Sequence, residues 1–232
     1  MRWTPSIPEL AQRDRFIKRV IEQRAVFAVS DDNGLAQVAS QRRKGFDVTL
    51  LWSREAEAER WADALAEIPQ VKRLTLAELL AGILIPIPEQ KRFVGLDWNA
   101  NPVEGEFNPL DIADKMRTQA IEGFVQRVRT AEQVFILEDR AGPAMMKCCG
   151  DGKRQFMPVW SDRSDAQSCI NGPWSKMIAL EIPLSNFLGL TLPWLAEHGY
   201  DVGPDYAINA GTLELAPKYL ASRLNNRAAA AA

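Results

Sequence analysis

The spacing of apolar positions changes period several times within the first hundred residues. Leu10, Ile17, Val20 and Ile21 recur at helical spacing in PELAQRDRFIKRVIEQ, and Pro8 suits a first helical turn. VFAVS and LAQVAS then read as two strands. Asp31-Asp32-Asn33-Gly34 lies between them, and Asn-Gly favours the positive φ of a hairpin turn. VTLLW, residues 48–52, predicts a third strand. Ser53 is placed to cap the next helix, with Glu55 and Glu57 in its first turn and Ala58, Trp61, Ala62 and Leu65 inward to about Glu67. VKRLT, residues 71–75, is a short strand. Thr75 and Glu78 form a capping box for a helix that buries Leu76, Leu79, Leu80 and Ile83. RFVGLDW, residues 92–98, predicts one more strand, and Asn108-Pro109 caps a helix carrying Ile112, Ala113 and Met116.

The same pattern then runs a second time without a gap. Phe16 matches Phe124, Val26-Phe27 matches Val134-Phe135, and Asp31, Gly34 and Ala36 match Asp139, Gly142 and Ala144. Trp52-Ser53 matches Trp160-Ser161, and Val94, Gly95 and Asp97 match Val202, Gly203 and Asp205. Glu106, Pro109 and Ala113 match Glu214, Pro217 and Ala221. The chain therefore reads as two tandem copies of one domain of about 100 residues. The expected division is 1–117, 118–227 and a disordered Ala tail at 228–232, with a short, helical join near residues 116–123 and Gly123 as its weak point. A join that short predicts copies that pack together. In copy two, Pro158 predicts an edge strand, and Asn171-Gly172-Pro173 should cut the middle helix short. The expected fold class is α+β, each copy a mostly antiparallel sheet with helices packed on it.

Composition narrows the function more than it defines it. Apolar residues make up 47% and charged residues 25% of 232, the mix of a globular protein, and the net charge of −2 argues against a nucleic-acid groove. RRK, residues 42–44, is matched by GDG in copy two and reads as a solvated turn. No apolar run approaches the ~20 residues of a membrane span, and the N-terminus lacks the apolar core of a secretory signal. Cys148, Cys149 and Cys169 are an odd set and read as reduced thiols, so the expected compartment is the cytoplasm.

No phosphate loop, dinucleotide fingerprint, nucleophile elbow or paired-cysteine metal motif occurs. The single histidine, His198, lies in a polar stretch and is matched by Gln90, which leaves a Ser-His or Cys-His machine without its base and zinc without a ligand set. No catalytic, cofactor or metal residue is predicted. Asp31 and Asp139 open a tight turn, where Asp accepts from backbone N–H groups. Asp97 and Asp205 have no such ready explanation and are candidate binding acids, while Arg19 and Arg127 are placed to pair with an acid in each copy. Trp52 and Trp160 end a strand and read first as core anchors, with a pocket-lining role for Trp160 as the alternative. Trp98, Trp174 and Trp194 are tryptophan in one copy only and, where partly exposed, are the aromatics expected at a partner surface.

These residues resemble a known pattern. F-x-x-R-V, V-F-x-x-x-D-x-x-G-x-A, a strand ending V-W-S, A-x-x-C-x-x-G-x-W and L-x-x-F-L-x-x-x-L-P-W-L occur in order in copy two, on Phe124, Arg127, Trp160, Ala166, Cys169, Trp174, Leu184, Phe187 and Leu192 among others. This is similar to the bacterial domain-of-unknown-function family 2750. Copy one diverges, with Trp61 for the Cys and Ala66 for the second Trp. A looser likeness is to the N-terminal domain of SseB-type proteins. The resemblance implies a small α+β fold and brings no catalytic residues. The expected function is a non-enzymatic cytoplasmic protein-binding or adaptor module with a protein partner. One rival is a small-ligand or immunity-type protein using a groove near Trp160 or between the copies. Another is a metal-assisted hydrolase using Asp97 and Asp205.

Overall fold

The structure is a computed structural model and describes residues 4–32, 34–65, 70–76, 78–84, 91–99, 105–148, 154–207 and 212–225. Asn33, Ala66, Pro86, Gln90, Cys149 and the Ala tail lie outside that set. The chain divides into two units, Met1–Gln119 and Ala120–Ala232.

Unit 1 begins with α1 (Ile7–Gln23), opened by a capping box in which the Ser6 N–H donates to Glu9 at 2.6 Å. α1 buries Phe16, Ile17 and Val20. β1 (Ala25–Asp31) turns back antiparallel into β2 (Gly34–Leu35) and β3 (Gln37–Ala39), with Asp31 opposite Gly34 at the turn. β4 (Asp47–Leu51) follows, then α2 (Glu55–Leu65), β5 (Gln70–Thr75), a π-helical turn (Glu78–Leu84), β6 (Arg92–Leu96) and β7 (Glu106–Phe107). β1 lies between β2 and β5, and β4 between β3 and β6. The pairing is antiparallel except for β4 with β6. A single bridge joins the two sheets: Phe27 and Trp52 exchange backbone hydrogen bonds of 2.8 Å in both directions. The core under it gathers Phe27, Val29, Val48, Leu50, Trp52 and Trp98.

α3 (Pro109–Ala131) is one continuous helix that runs across the boundary between the units. Unit 2 continues with β8 (Gln133–Asp139), β9 (Gly142–Pro143), β10 (Met146–Lys147), β11 (Gln155–Val159), α4 (Arg163–Ser168) and a 3₁₀ turn at Gly172–Trp174. β12 (Ile178–Pro183), α5 (Leu184–Asn186), a π-helical turn (Phe187–Thr191), α6 (Leu192–Glu197), β13 (Asp201–Pro204) and α7 (Pro217–Asn225) complete it. β8 lies between β12 and β9, and β11 between β10 and β13, with only β11 and β13 parallel. Phe135 and Trp160 repeat the inter-sheet bridge, again at 2.8 Å both ways.

The two units agree down to backbone torsions. Arg24 and Glu132 both have φ near the left-handed value, 53° and 54°, at the exit of their helices, and Asp97 and Asp205 share it at 50° and 47°. The fold is α+β in two like halves, as the repeat predicts. Gly95 and Gly203 recur for a steric reason. A Cβ on Gly95 would sit 2.7 Å from the Leu50 and Trp98 side chains, and one on Gly203 2.6 Å from Phe156 and Thr212.

Three local expectations need correction. Ser53 and Ser161 do not cap helices: α4 is capped by Asp162, whose carboxylate accepts from the Ser164 N–H at 2.7 Å, and the first bonded turn of α2 closes on the Arg54 carbonyl. Pro158 lies in an inner strand. The backbone N–H and C=O of Trp160 both face β8, so the missing N–H of Pro158, two residues away, faces the same side. The Met146–Phe156 pair and the Phe135–Trp160 bridge lie on either side of that gap, and no ladder bond is lost. The helix after Thr75 buries Leu79, Leu80 and Leu84, with Ile83 only half-buried. Its wider π turn moves the inward position one residue on. α2 is described to Leu65, and the expected end near Glu67 lies outside the described residues.

Candidate functional site

Asp97 and Asp205 each sit in a clasp built by their own unit. Each follows a strand that pairs in parallel with the strand ending in Trp52 or Trp160, so each acid arrives beside the following serine. The Asp97 carboxylate accepts from the Ser53 backbone N–H at 2.6 Å and from its Oγ at 2.8 Å, with Arg19 at 3.7 Å. The Asp205 carboxylate accepts from the same two groups of Ser161 at 2.9 Å and 2.8 Å, while Arg127 pairs with Asp205 and donates to the Ser161 Oγ at 2.8 Å. Burial raises the Asp97 carboxyl above its ordinary range, against the lowering effect of the Ser53 hydrogen bonds and Arg19. Both carboxylates hold a strand end to a neighbouring loop of their own unit. Among the described residues no three His, Cys, Asp or Glu side chains come together as a metal set.

The tryptophans separate into anchors and surface. Trp52 and Trp160 are fully buried, and their indole N–H groups donate to the Trp98 and Tyr206 carbonyls at 3.0 Å and 2.7 Å. The pocket-lining alternative for Trp160 therefore has no exposed indole to use. Trp174 is half-buried, edge-on to Tyr206 at 5.7 Å, which brings Trp160 and Trp174 onto one ring. Trp194 is 40% exposed on α6 and stacks near His198 and Tyr200, with ring centroids 4.6 Å and 5.7 Å away. His198 holds its place through Nδ1 and the Trp194 carbonyl, 2.9 Å apart.

A groove of about 410 Å³ runs between α6 and α7, lined by Leu188, Leu192, Pro193, Ala196, Glu197, Pro217, Lys218 and Ala221. Leu190, in the π-helical turn before α6, and Tyr219, on α7, stand exposed. Sequence reasoning found Trp194 but missed Leu190 and Tyr219. The signal was present, since the matching residues in copy one are Gly82 and Asp111.

Cys148 and Cys169 are buried. Burial and the neighbouring Glu214 push the Cys148 thiol up to about 12, so it stays protonated and unreactive at neutral pH. Glu106, matched to Glu214, is buried and accepts from the Ser40 Oγ at 2.5 Å and the Gln41 N–H at 2.9 Å. The repeated glutamate thus serves the loop between the strands. Unit 1 also holds a polar pocket of about 390 Å³ that includes Gln12, Arg15, Arg54, Glu57 and Asp97. Of these, only Asp97 stood out in the sequence.

Among the described residues no helix is long and apolar enough to cross a membrane. The family described as "Protein of unknown function (DUF2750)" matches residues 13–116 and again residues 121–224. A comparison with curated proteins finds no match. Similar solved structures include the Anabaena Tic22 (protein transport), 15% identical over 78% of this chain and 89% of that one, with a TM-score of 0.25. They also include the Tic22 from Plasmodium falciparum, 12% identical over 74% of this chain and 84% of that one, with a TM-score of 0.26. At these TM-scores neither likeness bears on fold or role.

Proposed function

The chain belongs to the DUF2750 family, twice over, and from that premise we propose that it is a non-enzymatic protein-binding or adaptor module acting in a reducing, cytoplasmic setting. The observation that carries this reading is the aromatic and apolar surface of unit 2. Trp194, Leu190 and Tyr219 are 40%, 68% and 45% exposed, and the same region carries an apolar groove between α6 and α7. Exposed large apolar residues and an open apolar groove are costly to keep in water unless something covers them. A Trp at such a place is the residue type that most often anchors an interface. A groove between two helices with Glu197 and Lys218 in its lining suits the apolar face of a partner helix. The buried thiol of Cys148 supports the reducing setting.

Affinity capture from native lysate with the full chain and with Trp194→Ala tests the reading. The expected result is a partner retained by the wild type and lost, with an unchanged melting temperature, from the variant. A partner held equally by both, or none held by either, overturns it.

A further inference from the structure

β12 is an outer strand of its sheet, with β8 on one side and no strand on the other among the described residues. The register decides which backbone groups it leaves open. Phe135 gives both its backbone groups to Trp160, and the Leu137 carbonyl accepts from the Ala144 N–H at 2.8 Å. These residues of β8 turn away from β12, so their partners Glu181 and Ala179 turn away from β8. The N–H groups of Ala179 and Glu181 thus point out of the sheet. The Ala179 carbonyl points the same way and is touched only by the exposed Arg163, at 3.3 Å. Ile178, Leu180 and Ile182 share one face of the strand. Ile182 packs on the core of unit 2, whereas Ile178 is 64% and Leu180 38% exposed. An open edge that carries exposed aliphatic side chains is a template for another strand.

The fold itself does not require this. In unit 1 β5 holds the matching edge, with Gln70 in place of Ile178 and Lys72 in place of Leu180. Two copies of β5 laid antiparallel about Lys72 would set like charges face to face. β12 is complementary to itself instead. With Leu180 on a two-fold axis, Leu180 meets Leu180, Ile178 meets Ile182, and Ala179 meets Glu181 of the second copy. The open backbone groups of Ala179 and Glu181 then exchange hydrogen bonds across the axis. A shift of register one way sets Glu181 against Glu181. A shift the other way sets Ile182 against Lys176. Charge favours the central register too. Arg163 pairs with Glu181 within a chain at 3.2 Å, and each Glu181 there also comes beside the Arg163 that flanks Ala179 of the second copy.

We propose that the chain forms a two-fold dimer in which β12 pairs antiparallel with β12 of a second copy. The contact uses the same patch on both chains and closes on itself. β5 is guarded by charge, so association stops at two. A single strand pair is a small interface, and a dissociation constant of about 1–100 µM is expected. The dimer does not use the groove between α6 and α7, and it stands independently of the Trp194 surface.

Light scattering of the full chain over a concentration series up to about 300 µM tests it. The expected result is a mass that rises from one chain to two. Leu180→Lys should weaken association at least about tenfold, and Trp194→Ala should leave it unchanged. Unit 1 already carries Lys72 and Gln70 at the matching places, so Leu180→Lys and Ile178→Gln both suit the fold, and the second keeps the test open if the first does not fold. Cross-linking reads the register. The two Leu180 positions form a non-hydrogen-bonded pair with Cα atoms about 4.5 Å apart, within disulfide reach, so Leu180→Cys should give a covalent dimer on mild oxidation. The two Glu181 positions stand out of register by two residues, beyond the ~7 Å limit, so Glu181→Cys should not. A chain that stays single throughout leaves the edge to another protein and overturns the proposal. So does a dimer that Leu180→Lys, or Ile178→Gln in its place, does not weaken, or one that Glu181→Cys cross-links as readily as Leu180→Cys.

Discussion

Asp97 shows how a residue can be found in a sequence and still be misread. Its recurrence as Asp205, after a Val-Gly pair, is plain in the chain. Its duty becomes visible only when the parallel pairing of β4 with β6 sets it beside Ser53. Replacing it tests that duty. Asp97→Ala strands the buried Ser53 N–H and puts a Cβ without hydrogen-bonding compensation at φ 50°, so a loss of about 2–4 kcal/mol is expected in urea unfolding. Asp97→Asn keeps an acceptor for that N–H and tolerates the left-handed torsion, so it should cost clearly less. The pH dependence has a definite sign. Burial raises the folded-state value above the ordinary 3.8, so the native state holds this proton more tightly than the unfolded chain does. Stability from this group is greatest below 3.8 and falls as pH rises through the raised value. The deficit of Asp97→Asn relative to the wild type should therefore shrink as pH rises from about 4 to 7. Glu78 works in the opposite direction. The Thr75 N–H lowers its carboxyl, and its contribution, present above 4.5, is lost as pH falls.

At the level of elements, the hairpins, the capping box at Thr75 and the shortened helix before Gly172 were legible because each depends on neighbours in sequence. The inner position of Pro158 was not, since it depends on which strands flank β11 and where their pairing stops. The edge strands show a contrast that only the register explains. β5 exposes Gln70, Lys72 and Arg73, whereas β12 exposes Ile178, Leu180 and Glu181 at the matching places. Unit 1 protects its edge with charge and unit 2 does so less fully. Gly123 offers a direct measurement. It lies inside α3, where the sequence suggested a weak point, and a Cβ there would meet only the flexible end of Arg127 at 3.3 Å. Gly123→Ala should stabilise the chain by up to about 1 kcal/mol, read as a rise in melting temperature, because alanine is the better helix former.

For the whole chain, duplication was the most secure reading, because it rests on many positions in one ungapped frame. Where the units part was harder to see, since α3 carries the boundary without a break in its pattern. Its second half supplies Ile121, Phe124, Val125 and Val128 to the core of unit 2, which also takes residues from β8, β11, α6 and α7. A fragment from Asn108 to Asn225 keeps that core and the whole of α3. It should unfold in a single cooperative transition followed by circular dichroism, and a gradual loss of signal would show that unit 2 cannot form its core alone. The polar pocket of unit 1 was largely hidden, because it gathers residues that a linear reading assigns to separate helices. The fusion of the two copies has a consequence for how such features arise. In a dimer of identical subunits, every substitution appears twice and symmetry copies it. Here Gln12 can stand where its twin position holds Ala120, and Leu190 where its twin holds Gly82. One architecture can thus be specialised in two directions within a single gene product, a freedom that a symmetric pair of identical chains does not have.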